Sequence, residues 1–330
     1  MILTPNSAKD VNFSQAGALI RKANSIIILA HYRPDGDAIG STLALGASLK
    51  ELGKEVRCYN QDPSPTYLQF LDRADCKLEV LDTPASADLL IALDCASIER
   101  LGADVVAHIS APHVLTIDHH ITNQHYGDSM IVDAKAAATG EILYNLILEN
   151  EFPIPPQSRD ALYVAISTDT GSLQYSNSSA KTYQTMTDLV DLGAPVADLN
   201  AQTYFNHSVR KVEILRECLQ SFTLSLEGQV SHWQVSEAAQ STVGVQAGDM
   251  EGLMDILRGI SGVRVCFTLE EAPSGVVRLS MRSKDETVDV SKICAQFGGG
   301  GHRMAAGAGI KGTSFENCAK QVLAEIAKVL

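Results

Sequence analysis

The sequence predicts an α/β protein whose larger, N-terminal domain is a parallel sheet with helices on both faces. In the first half of the chain, short apolar runs alternate with amphipathic stretches of helical length, which is typical of such sheets. From about Gly193 the pattern becomes mostly helical, and strands and helices then alternate again up to the last residue. We therefore expect a domain over residues 1–192, a helical connector over 193–221 and a smaller α/β domain over 222–330.

Each apolar or amphipathic run of the first domain predicts one element. The apolar runs predict strands at Ser25–Ala30, Glu55–Tyr59, Leu89–Leu93, Val114–Ile117 and Met130–Val132. The amphipathic stretches predict helices near Ile39–Leu52, Thr139–Glu149, Ser158–Ile166 and Ala180–Leu192. Because functional side chains of parallel sheets lie at the carboxyl ends of strands, the polar residues after these runs are the first site candidates.

The rest of the chain is interpreted in the same way. A helical passage begins at Ala194-Pro195 and continues to about Ser221. Beyond it, the sequence predicts strands at Thr223–Leu226, Val263–Glu270 and Val276–Arg282, and helices at Asp249–Arg258 and Ser314–Val329.

Composition and charge exclude several classes of protein. No segment approaches the roughly 20 apolar residues that a membrane span needs, and no signal peptide is evident. The net charge of −13 argues against a protein that follows long duplex nucleic acid, since such proteins usually carry a basic face. The 7 cysteines are scattered and form no Cys-x-x-Cys pair, which favours reduced thiols in the cytoplasm.

His31, Asp35 and Asp37 directly follow the first predicted strand. One imidazole and two carboxylates so close together repel or desolvate each other unless a cation lies between them, and a divalent metal is the simplest such partner. Alternatively, one aspartate caps the helix that begins near Ile39. Capping leaves His31 and the other carboxylate unexplained, so we favour metal binding.

Two further clusters follow other predicted strands. Asp94 follows Leu89–Leu93 and is either a helix cap or a metal ligand, which could be shared by two ions. Asp118-His119-His120 follows Val114–Ile117 and is either a solvated loop or a site. In a site, one imidazole can bind metal, the other can contact a phosphate, and the aspartate can orient a ring.

Asp169 and a glycine run complete the set of candidates. Asp169 ends an apolar helix, where a carboxylate is unfavourable against the helix dipole unless a metal compensates it; a surface loop is the alternative. Gly298-Gly-Gly-Gly301 exposes backbone N–H groups as an anion site, or is a plain linker. His302 and Arg303 follow it, and a preceding strand offers Arg282 and Ser283, so a phosphate and a base edge could be held here.

Together these motifs resemble those of the DHH phosphoesterases. The matching motifs are His31-x-x-x-Asp35-x-Asp37, Ala-Leu-Asp94-Cys, Asp118-His119-His120 and Thr168-Asp169-Thr-Gly171. Gly298-Gly-Gly-Gly-His302 is similar to the signature of the DHHA1 domain, which accompanies the DHH domain in this family. The resemblance covers nearly the whole chain, in order.

The resemblance implies two Mn²⁺ ions, with Mg²⁺ or Co²⁺ as substitutes. One ion would be bound by His31 and Asp35, the other by Asp37, His119 and Asp169, and Asp94 would bridge them. His120 would contact the scissile phosphate, and Asp94 and Asp118 would assist catalysis. The distal nucleotide would be held at the interdomain cleft by Arg282, Ser283, Gly298, Gly299, Gly300, Gly301, His302 and Arg303.

Within this family, the chain is similar to compact cytoplasmic members that degrade RNA of two to five nucleotides and dephosphorylate adenosine 3′,5′-bisphosphate (pAp). Two ions there clamp a phosphoryl group and activate a water molecule as the nucleophile. Linear or cyclic dinucleotides and inorganic polyphosphate stay open as substrates, as does a non-catalytic nucleotide-binding role. The resemblance also allows a homodimer, and it leaves the polarity of cleavage open.

Overall fold

A computed structural model describes residues 3–81, 83–246, 248–272 and 274–330. The chain divides into two compact units, Met1–Asn206 and His207–Leu330. The division falls inside the segment predicted as a connector, and each unit takes one of the two helices of that segment. None of the helices among the described residues is both long and apolar enough to span a membrane.

The first unit is built on a seven-stranded sheet in which every neighbouring pair of strands is parallel, as predicted. The order of strands is β1-β9-β8-β6-β2-β3-β4, while β5 and β7 pair with each other. The strands are β1 (Lys9–Asp10), β2 (Ser25–Leu29), β3 (Glu55–Asn60), β4 (Leu78–Val80), β5 (Ala85–Ser86), β6 (Leu89–Leu93), β7 (Ile109–Ser110), β8 (Val114–Asp118) and β9 (Ser129–Val132).

Helices cover both faces of this sheet, which confirms the predicted architecture. They are α1 (Phe13–Lys22), α2 (Gly36–Glu51), α3 (Ala103–His108), α4 (Thr139–Glu149), α5 (Pro156–Asp169), α6 (Ala180–Asp191) and α7 (Val196–Tyr204), with 3₁₀ turns at Thr66–Leu71 and Ile98–Leu101. Because successive strand residues point to opposite faces, Ile26 and Ile28 of β2 join the core under α1, α2, α4 and α5. Ile27 and Leu29 join a second core beside α3, where Val105 packs.

Several predicted boundaries differ from the structure by a few residues. The strand β6 and the helix α4 have the predicted limits, whereas α2 begins at Gly36 rather than near Ile39. The reason is its cap, because the Asp35 side chain accepts a hydrogen bond from the backbone N–H of Ala38 at 3.0 Å. The capping interpretation of this aspartate is therefore right, and it is compatible with a second role in the site.

The second unit contains a six-stranded sheet of order β10-β11-β12-β13-β15-β14, in which only β11 and β12 are parallel. Its strands are β10 (Thr223–Ser225), β11 (Val230–Val235), β12 (Val265–Glu271), β13 (Val277–Ser283), β14 (Gly300–His302) and β15 (Ala305–Ile310). Its helices are α8 (Val209–Gln220), α9 (Glu237–Val243), α10 (Met254–Arg258), α11 (Val290–Ala295) and α12 (Phe315–Ala327).

The second unit contains several elements that the sequence did not predict, namely β11, α9, α11, β14 and β15. The glycine run was expected to be an anion-binding segment or a linker, but its second half forms β14 and pairs with β15 in an antiparallel hairpin. The predicted helix Asp249–Arg258 begins only at Met254. Gly252 has a φ of +74°, a left-handed conformation that interrupts a right-handed helix at this point.

Candidate metal centre

The six predicted metal ligands lie at one edge of the first unit's sheet. The strands β2, β6 and β8 are neighbours and parallel, so their carboxyl ends meet. His31, Asp94 and His119 follow these three strands closely. The helices α2 and α5 supply the other three side chains, which are the N-cap Asp35, the first-turn Asp37 and the last helical residue Asp169.

Two groups of ligand atoms, His31–Asp35–Asp94 and Asp37–His119–Asp169, are linked by a third, Asp94–His119–His120. In the first group, Nε2 of His31 lies 3.6 Å from Oδ2 of Asp35 and 3.6 Å from Oδ2 of Asp94. In the second group, Nε2 of His119 lies 3.4 Å from Oδ2 of Asp169 and 4.0 Å from Oδ2 of Asp37. The other oxygen of Asp94, Oδ1, lies 3.6 Å from Nε2 of His119. Asp94 therefore presents one oxygen to each group.

These separations are longer than ordinary hydrogen bonds, and most of them also slightly exceed the spacing of two ligands on one cation. Values of 3.4 to 4.0 Å exceed the usual N–H···O distance of about 2.7–3.2 Å. Two ligands bound at about 2.1 Å to one cation lie roughly 3.0–3.4 Å apart in octahedral or tetrahedral geometry. A set of carboxylates and imidazoles without thiolates is also the donor set of Mn²⁺ and Mg²⁺ sites. The residues thus fit divalent cations.

The electrostatics of Asp37, Asp169 and His31 also favour bound cations. Burial raises the pKa of Asp37 well above its usual range, and the nearby charges of Asp94 and Asp169 add to the effect. Burial raises the pKa of Asp169 to about 7, although the His119 imidazole opposes it. Burial lowers the pKa of His31, but the adjacent carboxylates outweigh it and raise the pKa to about 10. Protons are thus retained on a cluster that cations would neutralise.

Asp37 also caps a helix that is distant in sequence. Its Oδ2 accepts a hydrogen bond from the Thr139 N–H at 2.6 Å, and its Oδ1 accepts one from the Gly140 N–H at 3.0 Å. The Ser41 hydroxyl donates to the same Oδ1 at 2.8 Å. The residue at the N-cap of α4, Ala138, makes no side-chain cap. Asp37 caps α4 instead. The sequence did not reveal this cap, because Asp37 and α4 are far apart in the chain and come into contact only in the folded protein.

Asp118 is fully buried and holds the ring of His120. Its Oδ1 accepts hydrogen bonds from His120 Nδ1 at 2.7 Å and from the His119 backbone N–H at 2.8 Å. Its Oδ2 accepts one from the Asn123 side-chain amide at 2.6 Å. Burial lowers the pKa of His120, but the carboxylates of Asp118 and Asp94 raise it overall. The aspartate of the triplet therefore orients a histidine, as the sequence suggested.

The other two histidines have Nδ1 next to a main-chain carbonyl. Nδ1 of His31 lies 2.9 Å from the Tyr32 oxygen, and Nδ1 of His119 lies 3.3 Å from the Ala136 oxygen. If Nδ1 of His119 donates its proton there, its Nε2 directs a lone pair at the carboxylate cluster. In His31 the Tyr32 oxygen and an Arg100 N–H compete for the same Nδ1, because the carbonyl accepts a proton and the guanidinium donates one. The sequence analysis missed Arg100, whose guanidinium lies 2.9 Å from His31 Nδ1. As a single arginine outside every motif, it gave no signal.

In the second unit, two of the predicted substrate residues lie on one face of the sheet. Arg282 pairs with Ala305, which pairs with His302, so the three side chains share a face. The Ser283 hydroxyl instead donates to the backbone oxygen of Asp285 at 2.9 Å and is nearly buried.

The remaining predicted substrate residues have roles within the unit itself. Arg303 donates from Nε to the Glu286 backbone oxygen at 2.7 Å. The glycines serve the hairpin: Gly298 and Gly301 have positive φ, and a Cβ at Gly299 would collide with the Gly307 oxygen. A Cβ at Gly300 would meet no atom within 4 Å, so this position faces open space.

Comparisons with known proteins agree with the order of the motifs. The family described as "DHH family, N-terminal domain" matches residues 25–166, and the "DHHA1 domain" matches residues 235–330. The chain is 30% identical over 305 residues to the bifunctional oligoribonuclease and PAP phosphatase NrnA of Thermus thermophilus. The matched segment covers 92% of this chain and 90% of that protein. It is 29% identical over 294 residues to the protein of the same name in Bacillus subtilis, and this match covers 87% of this chain and 90% of that protein.

The fold also matches a solved structure. An exopolyphosphatase-related protein from Bacteroides fragilis superposes with a TM-score of 0.84, at 24% identity, over 96% of this chain and 95% of that chain. At this level of identity, the likeness shows the fold alone.

Proposed function

The chain belongs to the DHH family, with a DHHA1 domain after its DHH domain, and we propose that it is a phosphoesterase that hydrolyses short RNA oligonucleotides and dephosphorylates pAp. The observation that carries the proposal is the pair of ligand groups joined by Asp94. The names of the two relatives supply the substrate class, since both are oligoribonucleases and PAP phosphatases at 29–30% identity.

The proposed cofactors are two Mn²⁺ ions. One ion would be held by His31 and Asp35, and the other by Asp37, His119 and Asp169. Asp94 would be a ligand of both ions. Divalent cations bound as a pair neutralise phosphate charge and lower the pKa of a water molecule, which can then attack phosphorus. Because no covalent enzyme intermediate is needed, the chain needs no nucleophilic side chain of its own.

His120 is the proposed catalytic contact to the scissile phosphate. Its Nδ1 donates to Asp118, so the ring is fixed by a fully buried carboxylate. An imidazole in this state can hold a proton at Nε2 and donate it to a phosphate oxygen as negative charge develops there. Asp118 acts through His120 and therefore positions it rather than reacting.

The DHHA1 domain is the proposed site for the distal nucleotide. Arg282 and His302 share a face of its sheet, and Gly300 lies in the strand that carries His302. A guanidinium and an imidazole can bind a phosphate, and a glycine without a side chain lets a base or ribose approach the backbone. We assign weaker roles to Ser283 and Arg303, because both side chains are engaged within the unit.

A substrate panel tests the assignment. Purified protein with Mn²⁺ is incubated with pAp, RNA of two to five nucleotides, a 24-nucleotide RNA, the linear dinucleotides pApA and pGpG, cyclic di-AMP and polyphosphate. We expect the highest kcat/KM for the short RNAs and for pAp. Preferential cleavage of the 24-mer, a cyclic dinucleotide or polyphosphate would show that the proposed substrate class is wrong.

Calorimetry tests the metal assignment. We expect two Mn²⁺ per chain in the wild type. Asp94→Asn keeps the size of the side chain but removes the charge between the two groups, so we expect weaker binding at both sites and a kcat reduced at least about 100-fold. Asp88→Asn is the control, because Asp88 accepts hydrogen bonds from the backbone N–H groups of Asn24 and Ser25, at the end of β2 opposite to His31. An unchanged stoichiometry and rate in Asp94→Asn would contradict a shared ligand.

The cytoplasm is the proposed location. All seven cysteines are free and buried, which suits a reducing compartment.

A further inference from the structure

Asp94 has an uncommon backbone conformation for a residue so central to the site. Its φ is +49°, in the left-handed region that residues other than glycine rarely adopt. Such a conformation persists only where surrounding contacts hold it. The backbone N–H of Asp94 donates to the Ile117 oxygen at 3.1 Å, which fixes the main chain but leaves the direction of the carboxylate to its own contacts.

Thr139 supplies such a contact. Its hydroxyl donates to Asp94 Oδ1 at 3.1 Å, within hydrogen-bond distance. The imidazole nitrogens near the carboxylate of Asp94 are farther away, with His31, His119 and His120 each at 3.6 Å. The hydroxyl is thus a close donor that can help to select one orientation of this carboxylate.

Thr139 is itself rigidly placed. It is fully buried, and its backbone N–H donates to Asp37 at 2.6 Å, so one residue contacts both the shared carboxylate and a ligand of the second group. It is also the first residue of α4. A threonine inside a helix commonly donates its hydroxyl to the carbonyl of the preceding turn, but no helical turn precedes this position. Its hydroxyl is therefore available for Asp94.

We propose that Thr139 is a positioning residue that holds Asp94 with one oxygen toward each ligand group. This proposal rests on the proposed metal-dependent function. Hydrogen bonds to a ligand orient it, and their loss typically costs about 10- to 100-fold in metal affinity. The effect is expected at both metal positions, because Asp94 is shared. Thr139 contacts neither substrate nor metal in this role.

Four proteins test the proposal: wild type, Thr139→Val, Thr139→Ser and Thr116→Val. Thr139→Val keeps the branched shape and removes the hydroxyl, whereas Thr139→Ser keeps the hydroxyl. Thr116 is the matched control, because it is fully buried in the same unit and its hydroxyl donates to the Tyr126 backbone oxygen at 2.7 Å. Mn²⁺ affinity and stoichiometry are measured by calorimetry, and the magnetic coupling of a bound Mn²⁺ pair by electron paramagnetic resonance.

We expect Thr139→Val to weaken Mn²⁺ binding about 10- to 100-fold and to change the coupled signal. We expect Thr139→Ser and Thr116→Val to resemble the wild type. A wild-type affinity and spectrum in Thr139→Val, or equal losses in Thr139→Ser, would overturn the proposal. If Thr139→Val does not fold, Thr139→Ala against Thr139→Ser makes the same comparison. A wild-type protein that binds no Mn²⁺ pair would instead refute the proposed function itself.

Discussion

Asp118 has a different task from the carboxylates around it, although it lies next to a predicted metal ligand in sequence. Its two oxygens accept hydrogen bonds from His120, His119 and Asn123, so its bonding capacity is used within the protein. The sequence placed it among the catalytic residues and suggested that it orients a ring. Its contacts are those of a residue that fixes the tautomer and direction of His120.

We predict that Asp118→Asn lowers kcat for pAp by roughly 10²- to 10⁴-fold, the range seen when a buried carboxylate that orients a histidine is neutralised. Mn²⁺ affinity should change much less, because Asp118 lies in neither ligand group. Steady-state kinetics at saturating Mn²⁺ and calorimetry on the same samples separate the two effects. A parallel loss of metal binding would mean that Asp118 supports the ligands instead.

The sequence predicted the ligand side chains but not the residues that support them. His31, Asp94 and Asp169 could be recognised because a charged group after an apolar run is locally conspicuous. Thr139 and Asn123 are ordinary polar residues in sequence. Thr139 meets Asp94 across 45 positions of chain, and only the completed sheet brings the two together.

At the scale of the elements, the helices α2 and α5 pack closely against each other in the first unit. Gly40 of α2 lies against α5, where an added Cβ would be 2.6 Å from the backbone oxygen of Ala161 and 2.8 Å from the Cβ of Ala165. The same two helices carry Asp37 and Asp169, each within one or two turns of this contact. The spacing of the helices therefore also sets the spacing of two ligands.

We predict that Gly40→Ala lowers the free energy of unfolding by about 1–3 kcal/mol, because overpacking against a backbone oxygen outweighs the gain in helix propensity. Mn²⁺ affinity should fall with it. Urea unfolding measures the first effect and calorimetry the second. Gly300→Ala is the control for stability, because its Cβ would meet no atom within 4 Å. A Gly40→Ala protein as stable as the wild type would show that the helices can move apart at little cost.

Elements differed in how far the sequence could predict them. The β6 strand and the α4 helix have their predicted limits because their apolar patterns are clear and their ends are marked by polar or small residues. The β14–β15 hairpin was missed because its strands consist largely of glycine and alanine, which have low strand propensity and no alternating pattern. Its pairing comes from a register that the sequence does not display.

At the scale of the whole molecule, net charge and site geometry describe the same kind of ligand. A chain with a net charge of −13 repels a polyanion at long range, yet the carboxylate cluster can attract cations and, through them, a few phosphates. Short substrates are compatible with this balance, whereas a long duplex meets the repulsion of a net negative chain along its whole length.

We predict that a fluorescent 24-base-pair duplex binds with a Kd above about 10⁻⁴ M at physiological salt, which is a lower affinity than non-specific DNA-binding proteins usually show. Fluorescence anisotropy with Mn²⁺ present measures this, and a labelled RNA trimer serves as the positive control. Duplex binding in the micromolar range that falls steeply with salt would contradict the prediction.

The parallel order of β8, β6 and β2 also has a kinetic consequence. The proposed ligands extend from His31 to Asp169, and they meet only after strands far apart in sequence have paired. Such non-local pairing forms slowly. A cation that needs several of these strand ends cannot assist the early stages of folding, and it stabilises mainly the finished native state. Metal should therefore leave the refolding rate nearly unchanged and slow unfolding, so that it prolongs the lifetime of the folded protein.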